Sequence, residues 1–269
     1  MNILLFSGSH SRHLYFFKQI LNTNHNFTSV IMERESVLPE PPKNLDQRDL
    51  QNFTKHFSER NYAELSAYGD IQIYDVFDKN NSILCSPKEL NSKKVEDFIK
   101  AYKSFDLCIV FGTDLLRKEI IDILPSVTIN LHLGISPYFK GSATLFWPFY
   151  FLMPQFAGAT FHKITEDPDA GQILHHSLPT LEYGDKLHDI GTKTVIKAAS
   201  DMKNILKSML NLEQWKFFNQ KKLGRLFLMS DFHPSHLRVI YDQYDNKIVD
   251  LYLNGELLTK KPNVIRLVN

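Results

Sequence analysis

Residues 129–137 of the chain read Ile-Asn-Leu-His-Leu-Gly-Ile-Ser-Pro. Apolar and polar residues alternate over the first half of this stretch, which predicts a strand that runs into a Gly/Pro/Ser loop. Because alternate side chains of a strand share one face, Asn130 and His132 can converge on one atom while their apolar neighbours face a core. A polar pair at the end of a strand indicates a candidate catalytic edge.

Strand and helix patterns alternate around this stretch. Residues 2–7, 9–22 and 27–32 read as strand, helix and strand, an order that implies a parallel sheet with a right-handed crossover. Further strands are predicted at residues 71–76, 107–111, 127–133, 157–164 and 172–178, and further helices at residues 46–67, 93–103, 114–123 and 186–212. The predicted fold class is therefore α/β with a mostly parallel sheet, in which ligands bind at the carboxyl ends of the strands.

The pattern changes after Gln220, where short strands and turns follow one another. Strands are predicted at residues 225–229, 247–253 and 256–259. Asn254-Gly255, between the last two, is a hairpin signal. We therefore predict a catalytic domain over residues 1–212 and a small β-rich C-terminal extension over residues 213–269.

The composition is that of an ordinary globular protein: 269 residues, 43% hydrophobic and 23% charged, with a net charge of +1. This charge argues against a nucleic-acid-binding protein, although a local basic patch could be hidden in a near-neutral total. Cys85 and Cys108 are far apart and form no CxxC pair, which favours a reducing compartment. Without a signal-peptide pattern or an apolar run of about 18–20 residues, we predict a cytoplasmic protein outside the membrane.

A second polar segment, Thr-Glu-Asp-Pro-Asp-Ala-Gly at residues 165–171, follows the strand predicted at 157–164. Sequential strands are neighbours about two-thirds of the time, so Asp169 could lie near Asn130 and His132. An amide donates to a developing oxyanion, and an imidazolium stabilises it further. A carboxylate raises the pKa of the histidine and helps to remove a proton from an attacking nitrogen. The three residues suit acyl transfer to an amine, without a side-chain nucleophile.

Three segments together, residues 130–141, 160–162 and 169–174, resemble the formyltransferases that use N10-formyltetrahydrofolate. The resemblance spans roughly residues 1–210. It implies a Rossmann-like formyltransferase core in which Asn130, His132 and Asp169 are the catalytic residues. It also implies that the amine attacks the formyl carbon directly, through a tetrahedral intermediate.

The same resemblance implies the ligand-binding residues. The folate is expected to contact Phe111, Gly112, Thr113, Leu115, Leu116, Thr165, Glu166 and Asp167. The acceptor is expected to contact Ser9, Arg12, His13, Tyr138, Lys140, Gly141 and Ser142. A flat ring needs an apolar slot with a few backbone donors and acceptors. No HExxH or Cys/His spacing is present, so we predict no metal.

The acceptor is open to several readings. Glycinamide ribonucleotide transformylases are shorter, and their phosphate loop appears only weakly at residues 8–13, although a helix N-terminus there suits an anion. Methionyl-tRNA formyltransferases carry a longer C-terminal β-barrel. Sugar formyltransferases, which formylate the amine of a nucleotide-linked amino-dideoxysugar for surface polysaccharide, resemble the chain in size. Within them, residues 141–150 and 235–241 look most like enzymes acting on GDP-perosamine.

Other readings stay open. The chain could be a phosphoribosylglycinamide formyltransferase of purine synthesis, a formyl-folate hydrolase, or a non-catalytic nucleotide-sugar binding module. A homodimer is expected because two-fold dimers are the commonest assembly. His162, His175 and His176 are expected to be structural or surface residues.

Overall fold

The structure is a computed structural model that describes residues 1–34, 38–102, 104–208, 210–221 and 223–268. Lys103 and Met209, near the ends of two predicted helices, and two residues of the predicted extension, Lys222 and Asn269, lie outside the described residues.

The chain forms nine strands and seven α-helices in the described part. The strands are β1 (Asn2–Gly8), β2 (Asn26–Met32), β3 (Ser82–Cys85), β4 (Leu107–Phe111), β5 (Thr128–His132), β6 (Phe139–Gly141), β7 (Ala159–Lys163), β8 (Ile173–Ser177) and β9 (Arg225–Phe227). The helices are α1 (Ser11–Leu21), α2 (Gln47–Tyr68), α3 (Lys93–Lys100), α4 (Lys118–Ile121), α5 (Trp147–Tyr150), α6 (Leu187–Ser208) and α7 (Ile248–Leu253).

Seven strands form the central sheet in the order β3-β2-β1-β4-β5-β7-β8. The first five are parallel to one another, whereas β7 runs antiparallel to β5 and β8 antiparallel to β7. The mostly parallel α/β sheet predicted from the sequence is therefore confirmed. The strand order reverses between β1 and β4, and the crevice at such a reversal is where open α/β sheets bind ligands.

Helices cover both faces of the sheet. Phe16 and Phe17 of α1 and Met202 of α6 pack on one face, which also receives Leu5 of β1. Val95 and Ile99 of α3 belong to a separate cluster on the opposite face. The strands are apolar on both sides because both sides are covered.

Two predicted elements are wrong. Residues 71–76 do not form a strand: a 3₁₀ turn occupies Ile73–Asp75, its apolar side chains pack on the α1 face, and β3 follows later at 82–85. The helix predicted over 114–123 is limited to α4, which has Arg117 as its N-cap. Asp114, the first residue of the predicted helix, lies outside α4, and its carboxylate forms an ion pair with Arg34.

The C-terminal extension contains more helix than strand and is not β-rich. Of its predicted strands only β9 forms, parallel to β6, whereas residues predicted as a strand at 247–253 form α7. Ile248 and Val249 of α7 are fully buried in a second core with Trp147. Asn254-Gly255 ends this helix instead of turning a hairpin, because the positive φ of 78° at Gly255 suits a helix C-terminus as well as a tight turn.

Polar contacts fix this extension to α2. Asp242 accepts from the Arg48 Nε at 3.0 Å and from the Asn52 amide at 3.1 Å. Arg238 donates to Asp49 at 2.7 Å, and the Tyr241 hydroxyl lies 3.1 Å from His56 Nδ1. Because these partners lie along α2, the extension holds that helix in place over the carboxyl ends of the strands.

The last described residues cover the edge of the sheet. The Ile265 N–H donates to His176 Nδ1 at 2.8 Å, and the Leu267 N–H donates to His175 Nδ1 at 3.0 Å. The His176 N–H in turn donates to the Ile265 carbonyl at 2.8 Å. His175 and His176, both buried, are thus structural as predicted. Among the described helices, none is long and apolar enough to cross a membrane.

Candidate active site

The Asp169 carboxylate joins three parts of the chain. Its Oδ2 lies 3.2 Å from Nδ1 of His132, and its Oδ1 lies 3.2 Å from Nε2 of His162. The Gly141 N–H donates to Oδ2 at 2.8 Å. Asp169 therefore lies in contact with His132 of β5, Gly141 of β6 and His162 of β7, whereas no direct contact with Asn130 is present among the described residues.

The turn that carries Asp169 depends on two backbone features. Asp169 has a φ of 50°, in the left-handed region that short polar side chains tolerate best after glycine. A Cβ on Gly171 would lie 1.8 Å from the Lys163 carbonyl oxygen. Only glycine allows the turn to approach β7 this closely, and the approach holds the Asp169 carboxylate against β5.

Asn130 is oriented by a histidine that the sequence reading took for a structural or surface residue. Its Nδ2 lies 3.3 Å from Nε2 of His162, whose Nδ1 donates to the Lys163 carbonyl at 2.9 Å. When Nε2 is unprotonated, its lone pair accepts a hydrogen bond from the Asn130 amide. When Nε2 is protonated, its N–H donates to Asp169. His162 thus connects the amide and the carboxylate, and only the pairing of Asn130 with His162 across β5 and β7 reveals this.

His132 lies between two oxygen acceptors. Its Nδ1 faces Asp169, and its Nε2 lies 3.0 Å from the Phe139 carbonyl oxygen. A neutral imidazole has one N–H and satisfies one of these contacts, whereas a protonated ring satisfies both. The pair is therefore arranged to receive a proton during a reaction.

Burial sets the charges of this pair. Burial lowers the pKa of His132, and the attraction of Asp169 opposes this shift without reversing it. The carboxylate was expected to raise the pKa of the histidine. Asp169 does act in that direction on His132, but burial outweighs it, so the expected net increase in pKa is wrong. Burial favours the neutral form of Asp169, but both imidazoles and the Gly141 N–H outweigh it and lower its pKa to about 2. At neutral pH the resting pair is an anionic carboxylate and a neutral imidazole.

A cavity of about 450 Å³ opens beside Asn130 and His132. It lies where β4 and β5 end, and residues of α1, α2 and α6 also line it. Six residues predicted to bind folate or acceptor line it: Arg12, His13, Phe111, Gly112, Thr113 and Gly141. Ligand pockets commonly measure about 300–1,000 Å³, so the cavity is large enough for a small-molecule substrate.

The other predicted binding residues lie outside the cavity lining. The Ser9 hydroxyl accepts from the Arg34 N–H at 3.2 Å, and the Tyr138 hydroxyl accepts from the Asn263 N–H at 3.2 Å. The Ser142 carbonyl accepts from the Trp147 indole at 3.1 Å. Lys140 and Leu116 are half-buried, whereas Leu115, Thr165, Glu166 and Asp167 are exposed. Their binding roles stay predictions.

The sequence reading missed a polar face of α2. His56, Arg60 and Glu64 line the cavity and follow one another at intervals of four residues, which places them on one side of the helix. Leu50 and Leu65, apolar residues of the same helix, are exposed, so apolar residues alone do not mark its buried face. The four-residue spacing of these polar residues could have indicated a shared face of the helix, but polar residues at this spacing usually face solvent.

Four buried histidines make the fold sensitive to acid. Burial lowers the pKa of His13 and His56 well below the usual range, and those of His188 and His176 to about 3 and about 4. A base with a depressed pKa in the folded state is protonated first in the unfolded state. The free energy of unfolding is therefore expected to decrease as the pH falls below about 6.5, by about 1.4 kcal/mol for each unit of pKa difference that is traversed.

Urea unfolding at about pH 7.5 and about pH 5 measures this effect. The urea midpoint is expected to be lower at the acidic pH, and His188→Gln should reduce the difference between the two midpoints. Asp169 does not contribute in this window, because its pKa of about 2 keeps it ionised. Equal midpoints at the two pH values would contradict the assignment of neutral buried imidazoles.

Among the described residues, no group of three or more His, Cys, Asp or Glu side chains is arranged to hold a metal ion.

Comparison with known proteins identifies relatives over most of the chain. A curated relative, the methionyl-tRNA formyltransferase of Prochlorococcus marinus (strain MIT 9515), is 27% identical over 190 residues, or 64% of this chain and 56% of the relative. The chain spans about half the length of the curated relatives it matches.

Solved structures share the fold. A 4-N formyltransferase from Francisella tularensis superposes with a TM-score of 0.56 at 17% identity, covering 86% of this chain and 77% of that one. An N-formyltransferase from Helicobacter canadensis, in complex with folinic acid and dTDP-3-aminofucose, gives a TM-score of 0.54 at 14% identity, covering 91% and 82%. At these identities the likeness shows the fold alone.

A family model described as formyl transferase matches residues 3–203. The match includes β1 to β8 and the residues Asn130, His132, His162 and Asp169 that meet at the cavity. The chain belongs to the formyl transferase family.

Proposed function

We propose that the protein transfers a formyl group from N10-formyltetrahydrofolate to the amino group of a nucleotide-linked amino-dideoxysugar. One observation carries the proposal: the Asp169 carboxylate binds His132 and His162, and His162 contacts the Asn130 amide beside the cavity. Membership of the family supports the reaction class.

Asn130 and His132 have separate roles in the proposed reaction. Asn130 has two amide N–H donors, of which one contacts His162, and the other can donate to the formyl oxygen as that oxygen gains negative charge. His132 can take the proton that the attacking amine releases, because the anionic Asp169 stabilises the resulting imidazolium. The bond between N10 of the folate and the formyl carbon would break as the intermediate collapses, and the proton held by His132 would pass to the departing N10, so no covalent bond to the protein is needed.

The β4 end of the cavity suits a flat heteroaromatic ring. Phe111 contributes an apolar wall, and the Thr113 hydroxyl is buried without a hydrogen-bond partner among the described residues. A buried hydroxyl of this kind can bind a polar edge of the ring. The folate co-substrate would supply the formyl group at this wall, and Asn130 and His132 would face it.

The choice of acceptor rests on charge. Arg12 and Arg60 line the cavity, which supports an acceptor with phosphate groups. GDP-perosamine remains the first candidate from the sequence. Of the two segments behind that choice, Gly141 and residues 143–146 line the cavity, whereas residues 237–241 pack into the second core and against α2. Only the first segment is in a position to contact the acceptor.

The test is direct. The purified protein is incubated with N10-formyltetrahydrofolate and, separately, with GDP-perosamine, dTDP-linked 3- and 4-amino sugars, a UDP-linked 4-amino sugar, glycinamide ribonucleotide and methionyl-tRNA, and products are identified by mass spectrometry. Formylation of one sugar nucleotide is the expected result. Formylation of glycinamide ribonucleotide or methionyl-tRNA alone would replace the proposed acceptor. No formylation, with nucleotide sugar still bound, would instead indicate a binding module.

A further inference from the structure

The cavity contains a charged cluster remote in sequence from the catalytic strand. Arg12 of α1 and Arg60 of α2 share one carboxylate, Glu64. Arg12 Nη1 is in close contact with Glu64 Oε1, whereas Arg60 Nε lies 4.0 Å from the same oxygen. All three side chains are mostly buried, with exposures of 17%, 21% and 11%.

The cluster has an excess of positive charge. The described residues that line the cavity include two arginines and one carboxylate, while its histidines are neutral at pH 7 because burial lowers their pKa. Burial and the nearby Arg12 also lower the pKa of Arg60 to about 10. Two cations held near each other away from water are costly unless anions compensate them, and the Glu64 carboxylate lies against both arginines.

Two buried imidazoles add hydrogen-bonding capacity at the same wall. Nδ1 of His13 and Nε2 of His188 are buried and have no hydrogen-bond partner among the described residues. Both side chains line the cavity and are at least nine-tenths buried. A buried polar atom without a partner is costly, so a ligand with acceptor or donor oxygens would satisfy it.

We propose that Arg12 and Arg60 bind the two phosphate groups of a diphosphate diester, and that Glu64 holds Arg12 until that ligand arrives. The inference deepens the proposed function, since it assigns the diphosphate of the acceptor to a subsite on α1 and α2. Planar guanidinium groups match phosphate oxygens bidentately. When the diphosphate binds, Arg12 leaves the Glu64 carboxylate and binds a phosphate. Because Glu64 competes with the phosphate for Arg12, it weakens anion binding, whereas Arg60 strengthens it.

The test uses the opposite effects that Glu64 and Arg60 are expected to have on anion affinity. Binding of inorganic pyrophosphate and of GDP, dTDP and UDP is measured by calorimetry without folate, on the full chain. Arg60→Met is expected to weaken binding about tenfold to a hundredfold, because hydrogen bonds to charged groups contribute about 1.5–3 kcal/mol. Glu64→Gln is expected to strengthen binding about threefold to tenfold, since Arg12 is released.

Lys55→Met is the matched control, because Lys55 is a cation on the same helix that does not line the cavity. It is expected to change affinity less than twofold. Weaker binding in Glu64→Gln, together with a lower thermal midpoint, would show that the cluster is structural and would overturn the proposal. Absence of binding by wild type to all four probes would also overturn it.

Failure here is distinguishable from failure of the proposed function. Formyl transfer to a sugar nucleotide with an unchanged KM in Arg60→Met would refute the subsite and leave the reaction standing. Diphosphate binding with the expected signs, but no formyl transfer, would retain the subsite and refute the reaction.

Discussion

Asp169→Asn is expected to lower kcat for formyl transfer about a thousandfold, within the range of about 10²–10⁴ that a positioned acid or base contributes. The substitution keeps the shape of the side chain and removes its charge. His132 then loses the anion that stabilises its protonated form, and His162 loses its anionic partner. The KM for the acceptor is expected to change little, because the role proposed for Asp169 is in proton transfer and not in binding the acceptor.

Asp245→Asn provides a control with the same backbone conformation. Asp245 has a φ of 48°, close to the 50° of Asp169, and lies on the surface beside Lys247. Asparagine tolerates this region well, so both variants should fold. The control should retain its rate. A kcat for Asp169→Asn within threefold of wild type would refute the role of the carboxylate.

Asn130→Ala is expected to lower kcat about 10²–10³-fold, the usual effect of removing one donor to an oxyanion. Asn130 of β5 lines the cavity, and its amide is held by the neighbouring His162 imidazole. Because the interaction strengthens only as the oxygen gains charge, kcat and kcat/KM should decrease together.

Asn61→Ala is the control for this variant, since Asn61 is exposed on α2. Folate affinity, measured with tetrahydrofolate by calorimetry, separates a catalytic effect from a binding effect. If Asn130→Ala weakened folate binding in proportion to its loss of rate, the amide would be a binding group and not an oxyanion donor.

The α/β fold was predictable from local pattern because the parallel strands are buried on both faces and alternate with amphipathic helices. β1, β2, β4 and β5 form within one residue of their predicted bounds. The extension was not predictable in the same way. Ile248 and Val249 suit a strand as well as a helix, and their burial against Trp147 decides between them. The Asn254-Gly255 pair is equally ambiguous, because it favours a positive φ, which occurs both in hairpin turns and at helix C-termini.

The candidate active site was likewise predictable only in part. Asn130, His132 and Asp169 were predicted to converge, and the distances show that His132 and Asp169 are in contact. His162 was missed because its partner, Asn130, is 32 residues away and reaches it only through strand pairing. Arg60 and Glu64 were missed because charged residues at four-residue spacing normally face solvent, and the extension that covers α2 cannot be read from local sequence.

The contact between the chain's last described residues and β8 has a consequence for how the protein is made. Ile265 and Leu267 reach His176 and His175 across 89 and 92 residues of sequence. During synthesis, β8 therefore emerges long before the segment that shields it. Until then it is an open edge able to pair with another nascent chain. Aggregation during expression would thus compete with completion of the chain.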